Sequence, residues 1–458
     1  MKRKLLRILG SLVLVGAIYT GYHFSRLLPL ATGMGAKTLC SCVWVGDRAV
    51  DNVVKNELNI YPLSLVSYGV DRQDSSATAS FLGMFKRTAQ FRPGLGCLLN
   101  VPVQYVSGSG EYRVTPPADS ILSNPWPVGN VVKKRFPEEI DSVRMKEIVK
   151  KAFEDKTGLR QMRTILVVYD GQIIIEEYRE GFGPESKQMG WSMSKSILNG
   201  LIGMAVKNEL ISLDESSLFP DWTDVRAKIT VDHLITQSSG LKWQEDYSNR
   251  SAVTEMLFES PDMAAYAMDR ALLTPPPGKY FWYSSGNSNL LSDLLKQRIG
   301  EKEYLPFIYE DFLHKIGMYN TVIETDASGT YVGSSYTYAT ARDWARFGWL
   351  YCQGGAWKGE QILPKSWIDY TTVPSPASAE GNYGAHFWLN HGSNDNPNHV
   401  DGIIPGVPKD AFWADGFEGQ RVFIIPSKKL VIVRLAMTRG NNLNERAFLS
   451  EMMACVKR

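Results

Sequence analysis

The stretch Trp191-Ser192-Met193-Ser194-Lys195-Ser196 places a serine three residues before a lysine, at the start of a long apolar-periodic segment. Residues three apart share one face of a helix, so the Ser192 hydroxyl and the Lys195 ammonium can meet near the helix's N-terminal end. A serine hydroxyl becomes an effective nucleophile when a nearby base accepts its proton. A lysine can be that base when burial or a neighbouring cation lowers its pKa. The stretch therefore predicts acyl transfer through a covalent serine ester.

A second Ser-x-x-Lys copy, Ser239-Gly240-Leu241-Lys242, has a different context. Gly240 disfavours a helix and predicts a turn. Ser192 instead precedes an i, i+4, i+7 pattern of apolar residues, which predicts a buried helix over residues 192–210. An ordinary helix cap remains the simpler interpretation of Ser192 alone, so other motifs are needed to favour catalysis.

Composition predicts a globular protein with a sizeable core, because 44% of the 458 residues are hydrophobic and 12 are Trp. The net charge is +2, yet five basic residues and no acidic one lie before residue 27. The rest of the chain therefore carries a charge of −3, and no basic stripe for nucleic acid is present. Nucleic acid is accordingly not an expected partner.

The N-terminus has the pattern of an export or anchoring segment, because a cationic start precedes the uncharged run Ile8–Ser25. That run is close to the lower limit of about 17–25 residues for a membrane span. We interpret residues 1–30 as a signal anchor, with a cleaved signal peptide as the alternative. Either interpretation predicts a membrane contact or export, with the catalytic part outside the cytoplasm, in the periplasm or cell envelope.

Five cysteines are compatible with such a compartment. We hypothesise a bridge from Cys97 to either Cys40 or Cys42, which requires an oxidising location. No Cys-x-x-Cys pair is present, and a loose cluster after residue 385 is interpreted as a solvated polar loop. That cluster comprises His386, His391, Asp395, His399 and Asp401. No metal and no cofactor are predicted.

The order of elements predicts an α+β fold. Residues 36–135 hold short apolar runs broken by Gly, Pro and Ser, which indicates a β-rich N-terminal region without an obvious core of its own. Two hairpins, over 164–178 and 421–435, enclose a mainly helical stretch and predict one shared antiparallel sheet. The predicted helices are Ile140–Phe153, Asn289–Arg298, Thr340–Tyr351 and Leu443–Val456.

Two further motifs contain residues suited to catalysis. Tyr283 follows a proline run, and a tyrosine there can relay the serine's proton to a leaving group. Asn287 lies four residues later and can hydrogen-bond Lys195 or a substrate amide. The segment Asp415–Gln420 enters the last hairpin, and its glycines let a substrate approach strand N–H groups that hold an oxyanion. The simpler interpretations are a packed aromatic, a helix cap and a glycine turn.

Together these motifs resemble the serine β-lactamase and penicillin-recognising superfamily. The resemblance is to its class C-like branch, particularly 6-aminohexanoate-dimer hydrolase and related esterases, and it covers roughly residues 140–458. Three further stretches are similar to that branch: 234–241, 338–343 and 417–421. The resemblance implies a β-lactamase-like serine hydrolase domain over 140–458, on which residues 36–135 are expected to pack.

Carried over residue by residue, the resemblance implies Ser192 as nucleophile, Lys195 as general base and Tyr283 as the second-motif tyrosine. That motif reads Tyr-x-Ser-x-Asn here, which suggests Asn287 as its asparagine. The backbone N–H groups of Ser192 and Phe417 would form the oxyanion hole, with Gly416 beside them. Ser239 falls in a turn typical of the family, which implies a structural role.

One departure from the pattern affects the expected substrate. Penicillin-binding relatives carry Lys-Thr-Gly on the third motif strand, where this chain has Ala414-Asp415-Gly416. An acid there repels a substrate carboxylate, unless Arg421 compensates. We therefore expect hydrolysis of a small-molecule ester or linear amide. The alternatives are a D-Ala-D-Ala peptidase or β-lactamase, and a catalytically silent envelope binding protein of the same fold.

Overall fold

The computed structural model describes residues 2–99, 112–133, 135–155, 157–273, 276–439 and 444–457. The chain begins with one long helix, α1 (Lys2–Cys40), followed by a π-helical turn (Ser41–Val45) and α2 (Val50–Asn56). In the described part of the chain, no helix is long and apolar enough to cross a membrane. The membrane-spanning anchor expected over residues 1–30 is not supported by this finding, and the alternative of a cleaved signal peptide stays a prediction.

The second half of α1 is part of the molecule's core. Its buried residues, from Leu28 to Cys40, pack on a four-stranded antiparallel meander. The strands are β1 (Ser67–Asp71), β2 (Ser76–Phe81), β3 (Met84–Arg92) and β4 (Gly96–Leu99), in that order. A disulfide from Cys40 to Cys97 joins α1 to β4, which is one of the two pairings hypothesised from the sequence.

The helix that continues through residue 40 and the helical segment up to Asn56 differ from the irregular, β-rich pattern expected from residue 36 onward. Glycine is a poor helix former, so Gly33 and Gly35 make this part of α1 hard to recognise as a helix from the sequence. Tertiary contact explains Gly35, because a Cβ there would lie 2.7 Å from the Tyr68 ring. The glycine allows α1 to approach the sheet closely, so packing overrides local propensity.

The remaining elements begin after residue 118. They are, in chain order, α3 (Asp119–Leu122), α4 (Ser142–Phe153), β5 (Met162–Tyr169), β6 (Gln172–Tyr178), β7 (Gln188–Met189), α5 (Met193–Lys207), α6 (Val231–Ile235), α7 (Ala252–Glu259), α8 (Met263–Met268), α9 (Ser285–Ile299), α10 (Glu301–Ile308), β8 (Val322–Ile323), β9 (Thr337–Ala339), α11 (Ala341–Cys352), β10 (Ala356–Trp357), β11 (Glu360–Gln361), α12 (Lys365–Thr371), β12 (Trp388–Leu389), β13 (Phe412–Gly416), β14 (Gln420–Ile425), β15 (Leu430–Ala436) and α13 (Glu445–Met453).

A six-stranded antiparallel sheet organises this part, in the order β12-β13-β14-β15-β5-β6. The first and last hairpins are neighbours in it, because β15 pairs with β5 in a register that sets Val431 opposite Val168. The prediction that these hairpins share one antiparallel sheet is confirmed. β15 is buried along its whole length, as expected for a strand covered on both faces.

Helices cover both faces of the sheet. α4 and α13 contact each other and contribute to a core on one face, while α11 packs on β14, β15 and β5 from the other. α5 contacts β13, the strand next to the edge strand β12, and also contacts α9. The start of α5, the start of α9 and the end of β13 therefore meet at one place.

Candidate active site

Ser192 lies at the point where the chain enters α5, as the residue before its first helical position. The preceding residue, Trp191, has a left-handed backbone with φ of 49°. One helical turn later, Lys195 Nζ lies 3.2 Å from Ser192 Oγ. The i, i+3 spacing thus brings the hydroxyl and the amine into hydrogen-bonding distance, as the sequence predicts.

Lys195 is only 1% exposed. Its Nζ donates to Ser285 Oγ and to the Ser334 carbonyl oxygen, each at 3.0 Å. Burial lowers the pKa of Lys195 to about 8, against the attraction of the Glu245 and Asp415 carboxylates, which act to raise it. The amine is therefore partly neutral near physiological pH and can accept a proton.

Glu245 is connected to Lys195 through the Ser285 hydroxyl, which hydrogen-bonds both side chains. Ser285 donates to it twice, from Oγ to Oε1 at 2.5 Å and from the backbone N–H to Oε2 at 3.0 Å. The Trp243 indole N–H donates to Oε2 at 2.6 Å. These bonds fix a chain from Lys195 through Ser285 to Glu245, which the sequence analysis missed. The one local signal was the position of Ser285, two residues after the motif tyrosine.

Tyr283 lies over the same amine, with Lys195 Nζ 4.9 Å from its ring centroid. Burial raises the pKa of Tyr283 well above 10, and the nearby Ser192 side chain acts to lower it. The ring also stacks on Trp388, with centroids 5.9 Å apart. Tyr283 is therefore protonated at neutral pH and is positioned as a proton donor.

The end of β13 lies directly against the loop before the nucleophile. A Cβ on Gly416 would approach the Gly190 carbonyl oxygen to 2.2 Å, so only glycine fits. Phe417 follows, and its backbone leaves the β13–β14 ladder at this point. Among the described residues, neither the Phe417 N–H nor the Ser192 N–H donates to a backbone carbonyl. This is compatible with the oxyanion hole expected of these two N–H groups, which stays a prediction.

A cavity of about 440 Å³ opens above these groups. Its lining residues are Ser192, Glu245, Asp246, Tyr247, Ser248, Tyr283, Trp388, Asp415 and Phe417. Three of them are acids, and no lysine or arginine is among the described residues of this lining. The cavity has a size typical of small-molecule sites, which span roughly 300–1,000 Å³.

Comparison with known proteins shows the family of this chain. Residues 154–449, more than half of the chain, match the family described as Beta-lactamase. The chain belongs to the beta-lactamase family. The serine β-lactamase-like assignment made from the sequence is thereby confirmed, and with it the α+β fold of a hydrolase family.

Relatives in the beta-lactamase family are distant in sequence. The 6-aminohexanoate-dimer hydrolase of Paenarthrobacter ureafaciens is 22% identical over 59% of this chain and 71% of its own length. A Bacillus anthracis structure described as a candidate 6-aminohexanoate-dimer hydrolase superposes with a TM-score of 0.58 at 20% identity, covering 75% of this chain and 89% of that one. A family VIII carboxylesterase superposes with a TM-score of 0.54 at 13% identity, covering 71% and 99%. These structural likenesses show the fold alone.

Asn287 is not brought to Lys195 in this beta-lactamase-family chain. Its Oδ1 accepts from Ser239 Oγ at 2.8 Å, and its Nδ2 donates to Gln237 Oε1 at 3.1 Å. α9 begins at Ser285, earlier than expected from the sequence, and residues two apart on a helix point to different sides. Ser285 therefore faces Lys195, so the hydrogen bond to Lys195 expected for Asn287 is wrong, while Ser239 has the structural contact expected of it. A contact between Asn287 and a substrate amide stays a prediction.

Arg421 does not present a free cation to the cleft. Its Nη1 lies 3.1 Å from Asp415 Oδ1, and its Nη2 lies 3.0 Å from Glu445 Oε2. Burial raises the pKa of Asp415 to about 6, although Arg421 acts to lower it. Asp415, the acid expected to repel a substrate carboxylate, thus lines the cavity. Its ion-pair partner Arg421 is shared with Glu445.

The histidine-containing stretch after residue 385 is only partly the solvated loop expected. His386 is buried, with Nε2 3.1 Å from Ser288 Oγ, and burial lowers its pKa to about 3. In the described ranges, no three His, Cys, Asp or Glu side chains are placed to hold a metal ion.

Proposed function

We propose that this protein hydrolyses a small-molecule ester or linear amide through an acyl-enzyme on Ser192. The observation that carries the proposal is the Ser192–Lys195 pair. Its atoms are 3.2 Å apart, and burial lowers the pKa of the lysine to about 8. A base whose pKa is near the working pH is effective for general base catalysis.

In the proposed mechanism, neutral Lys195 accepts the Ser192 proton while Oγ attacks the substrate carbonyl carbon. The Ser192 and Phe417 N–H groups stabilise the resulting oxyanion. When the oxyanion collapses, the bond to the alkoxy or amino group breaks, and Tyr283 gives that leaving group a proton. Lys195 returns a proton to Tyr283. Water then attacks the acyl-enzyme and gives a proton to Lys195. As the acyl–Oγ bond breaks and the acid leaves, Lys195 returns that proton to the Ser192 oxygen.

The charge of the cleft supports a neutral or cationic substrate over a β-lactam. Glu245, Asp246 and Asp415 line the cavity, and a carboxylate entering it meets like charges. Penicillins carry such a carboxylate. Relatives described as a carboxylesterase and as a 6-aminohexanoate-dimer hydrolase support the same preference.

We further propose that the catalytic part works outside the cytoplasm, in the cell envelope or exported. The Cys40–Cys97 bridge supports this location, because disulfides persist in oxidising compartments. Alkylation of the natively expressed protein under denaturing conditions should leave two of the five cysteines unmodified until reductant is added. Alkylation of all five without reductant would contradict the proposal.

Intact mass after treatment with a fluorophosphonate probe tests the nucleophile. We expect one adduct on the wild type and none on Ser192→Ala. Ser239→Ala removes the serine of the second Ser-x-x-Lys copy and should still be labelled, which makes it the matched control. A folded wild type that takes no adduct would indicate a catalytically silent binding protein. Stable acylation by a labelled penicillin would indicate a penicillin-binding enzyme instead.

A further inference from the structure

A second, larger cavity lies beside the catalytic cleft. It has a volume of about 550 Å³, and one of its walls is the buried half of α1. That wall is mainly apolar, with Leu27, Leu30, Ala31 and Met34 beside the polar Thr38. Further apolar residues close it from other segments: Ile60, Pro62, Leu63, Met189 and Trp191. Most of this wall comes from outside the residues matched by the family.

The two cavities share part of their lining. Tyr247, Ser248 and Phe417 belong to both. The Tyr247 and Phe417 rings stack with centroids 4.8 Å apart, and Trp191 packs edge-on against both. Trp191 directly precedes the nucleophile. Phe417 is 41% exposed, so this ring is held less tightly than a core aromatic.

The position of Tyr283 orients a bound substrate. Because Tyr283 donates to the leaving group in the proposed mechanism, the leaving group must lie near Tyr283 and its stacking partner Trp388. The carbonyl oxygen points at the N–H groups of Ser192 and Phe417. The acyl part then extends along Phe417 and Tyr247, which are the residues that also line the larger cavity.

We propose that this larger cavity binds the hydrocarbon chain of the substrate's acyl group, so that the substrates are esters or amides of medium- to long-chain fatty acids. This assignment rests on the function proposed above. Burial of apolar area drives such binding at about 25 cal/mol per Å². All the charged lining residues except Lys187 are held in ion pairs: Glu57 with Arg48 and Arg163, and Glu418 with Arg439. The hydrocarbon chain therefore contacts the α1 wall.

A chain-length series on the wild type tests the assignment without any variant. We expect kcat/KM for p-nitrophenyl esters to rise from acetyl to octanoyl by at least tenfold. Full burial of each added methylene would give about fourfold. A flat series, or a fall beyond butyryl, would overturn the acyl-chain assignment while the proposed hydrolysis stands.

Met34→Trp fills the cavity from α1 and provides the matched test. We expect kcat/KM for the dodecanoyl ester to fall at least tenfold and that for the acetyl ester to stay within about twofold. Met268→Trp is the control, because Met268 is similarly half-buried and is not among the lining residues of either cavity. Equal losses on both esters in Met34→Trp would overturn the proposal.

Binding to the inactive protein separates the two proposals. Calorimetry should show binding of methyl dodecanoate, an uncharged ester, to Ser192→Ala, with binding lost in Ser192→Ala/Met34→Trp and retained in Ser192→Ala/Met268→Trp. Absence of methyl dodecanoate binding, in a sample whose wild type hydrolyses acetyl esters, would overturn the cavity assignment alone. Methyl dodecanoate binding without any phosphonate adduct on the wild type would overturn the hydrolase and its acyl-substrate role together.

Discussion

Two lysines are buried among the residues that the structure describes, and each lies beside a serine hydroxyl and near a glutamate. Lys195 Nζ is 3.2 Å from Ser192 Oγ, and Lys37 Nζ is 3.0 Å from Ser41 Oγ. Burial lowers the pKa of both amines. By residue type and burial the two sites are alike.

Their carboxylates are placed differently. Lys37 pairs directly with Glu324, which also accepts from Ser41 Oγ at 2.8 Å. Lys195 reaches Glu245 only through the Ser285 hydroxyl. A direct ion pair holds an amine in its charged form, whereas an intervening hydroxyl leaves it able to accept a proton.

The space around the two lysines also differs. The cavity next to Lys37 measures about 20 Å³, which is room for no more than a water molecule. Ser192 faces about 440 Å³. A buried Ser–Lys pair thus becomes a catalytic candidate only where the amine lacks a direct counter-ion and the hydroxyl faces a substrate-sized space.

The sharpest test of this comparison removes each amine. Lys195→Met should lower kcat/KM about 10³-fold, because general base catalysis contributes roughly 10²–10⁴-fold. Lys37→Met should leave turnover per folded molecule within about twofold. Ester hydrolysis normalised to the folded fraction measures both. Equal losses of activity would show that the two lysines do not differ as the geometry indicates.

The free energy of unfolding, unlike the activity, should depend strongly on Lys37. Lys37→Met leaves Glu324 as an uncompensated buried charge, and breaking a buried pair costs about 3–5 kcal/mol. Urea denaturation followed by circular dichroism measures this loss. The double variant Lys37→Met/Glu324→Gln is the control and should recover part of the lost free energy of unfolding. A loss below about 1 kcal/mol in the single variant would argue against the ion pair.

A second pair of variants compares how much Ser285 and Asn287 each contribute to kcat. Ser285→Ala removes a hydroxyl that bonds the amine, so kcat should fall about 10- to 100-fold, the value of a hydrogen bond to a charged group. Asn287→Ala should lower the melting temperature but change kcat less than threefold, since its side chain contacts Ser239 and Gln237. Larger kinetic damage from Asn287→Ala would restore the role expected from the sequence.

The smallest expected effect is a shift in pH dependence. Because neutral Lys195 is the base, kcat/KM should rise with pH through the lysine's pKa of about 8 and then level off. Glu245 raises that pKa, so Glu245→Gln should move the rising limb to lower pH. Asp415→Asn should move it in the same direction by less, since Asp415 is the weaker of the two influences. A shift to higher pH would contradict the assignment of Lys195 as the base.

The local sequence determined the pairing of Ser192 with Lys195 at the start of α5 and much of the central sheet. The spacing of Ser192 and Lys195 forces the two side chains onto one helix face. The hairpins around Asp170-Gly171 and Pro426-Ser427 are encoded by short turns between β-branched runs. Such features depend on residues a few positions apart, which is why periodicity and turn chemistry predict them.

Tertiary structure alone decided which groups surround the amine and the substrate. Glu245 contacts Ser285, which lies 40 positions away in the sequence. The first turn of α9 places Ser285, and not Asn287, beside Lys195. α1 forms the wall of the larger cavity because its residues from Leu28 onward pack against distant strands. Those contacts depend on burial and close approach between segments far apart in the chain, which no local pattern of residues encodes.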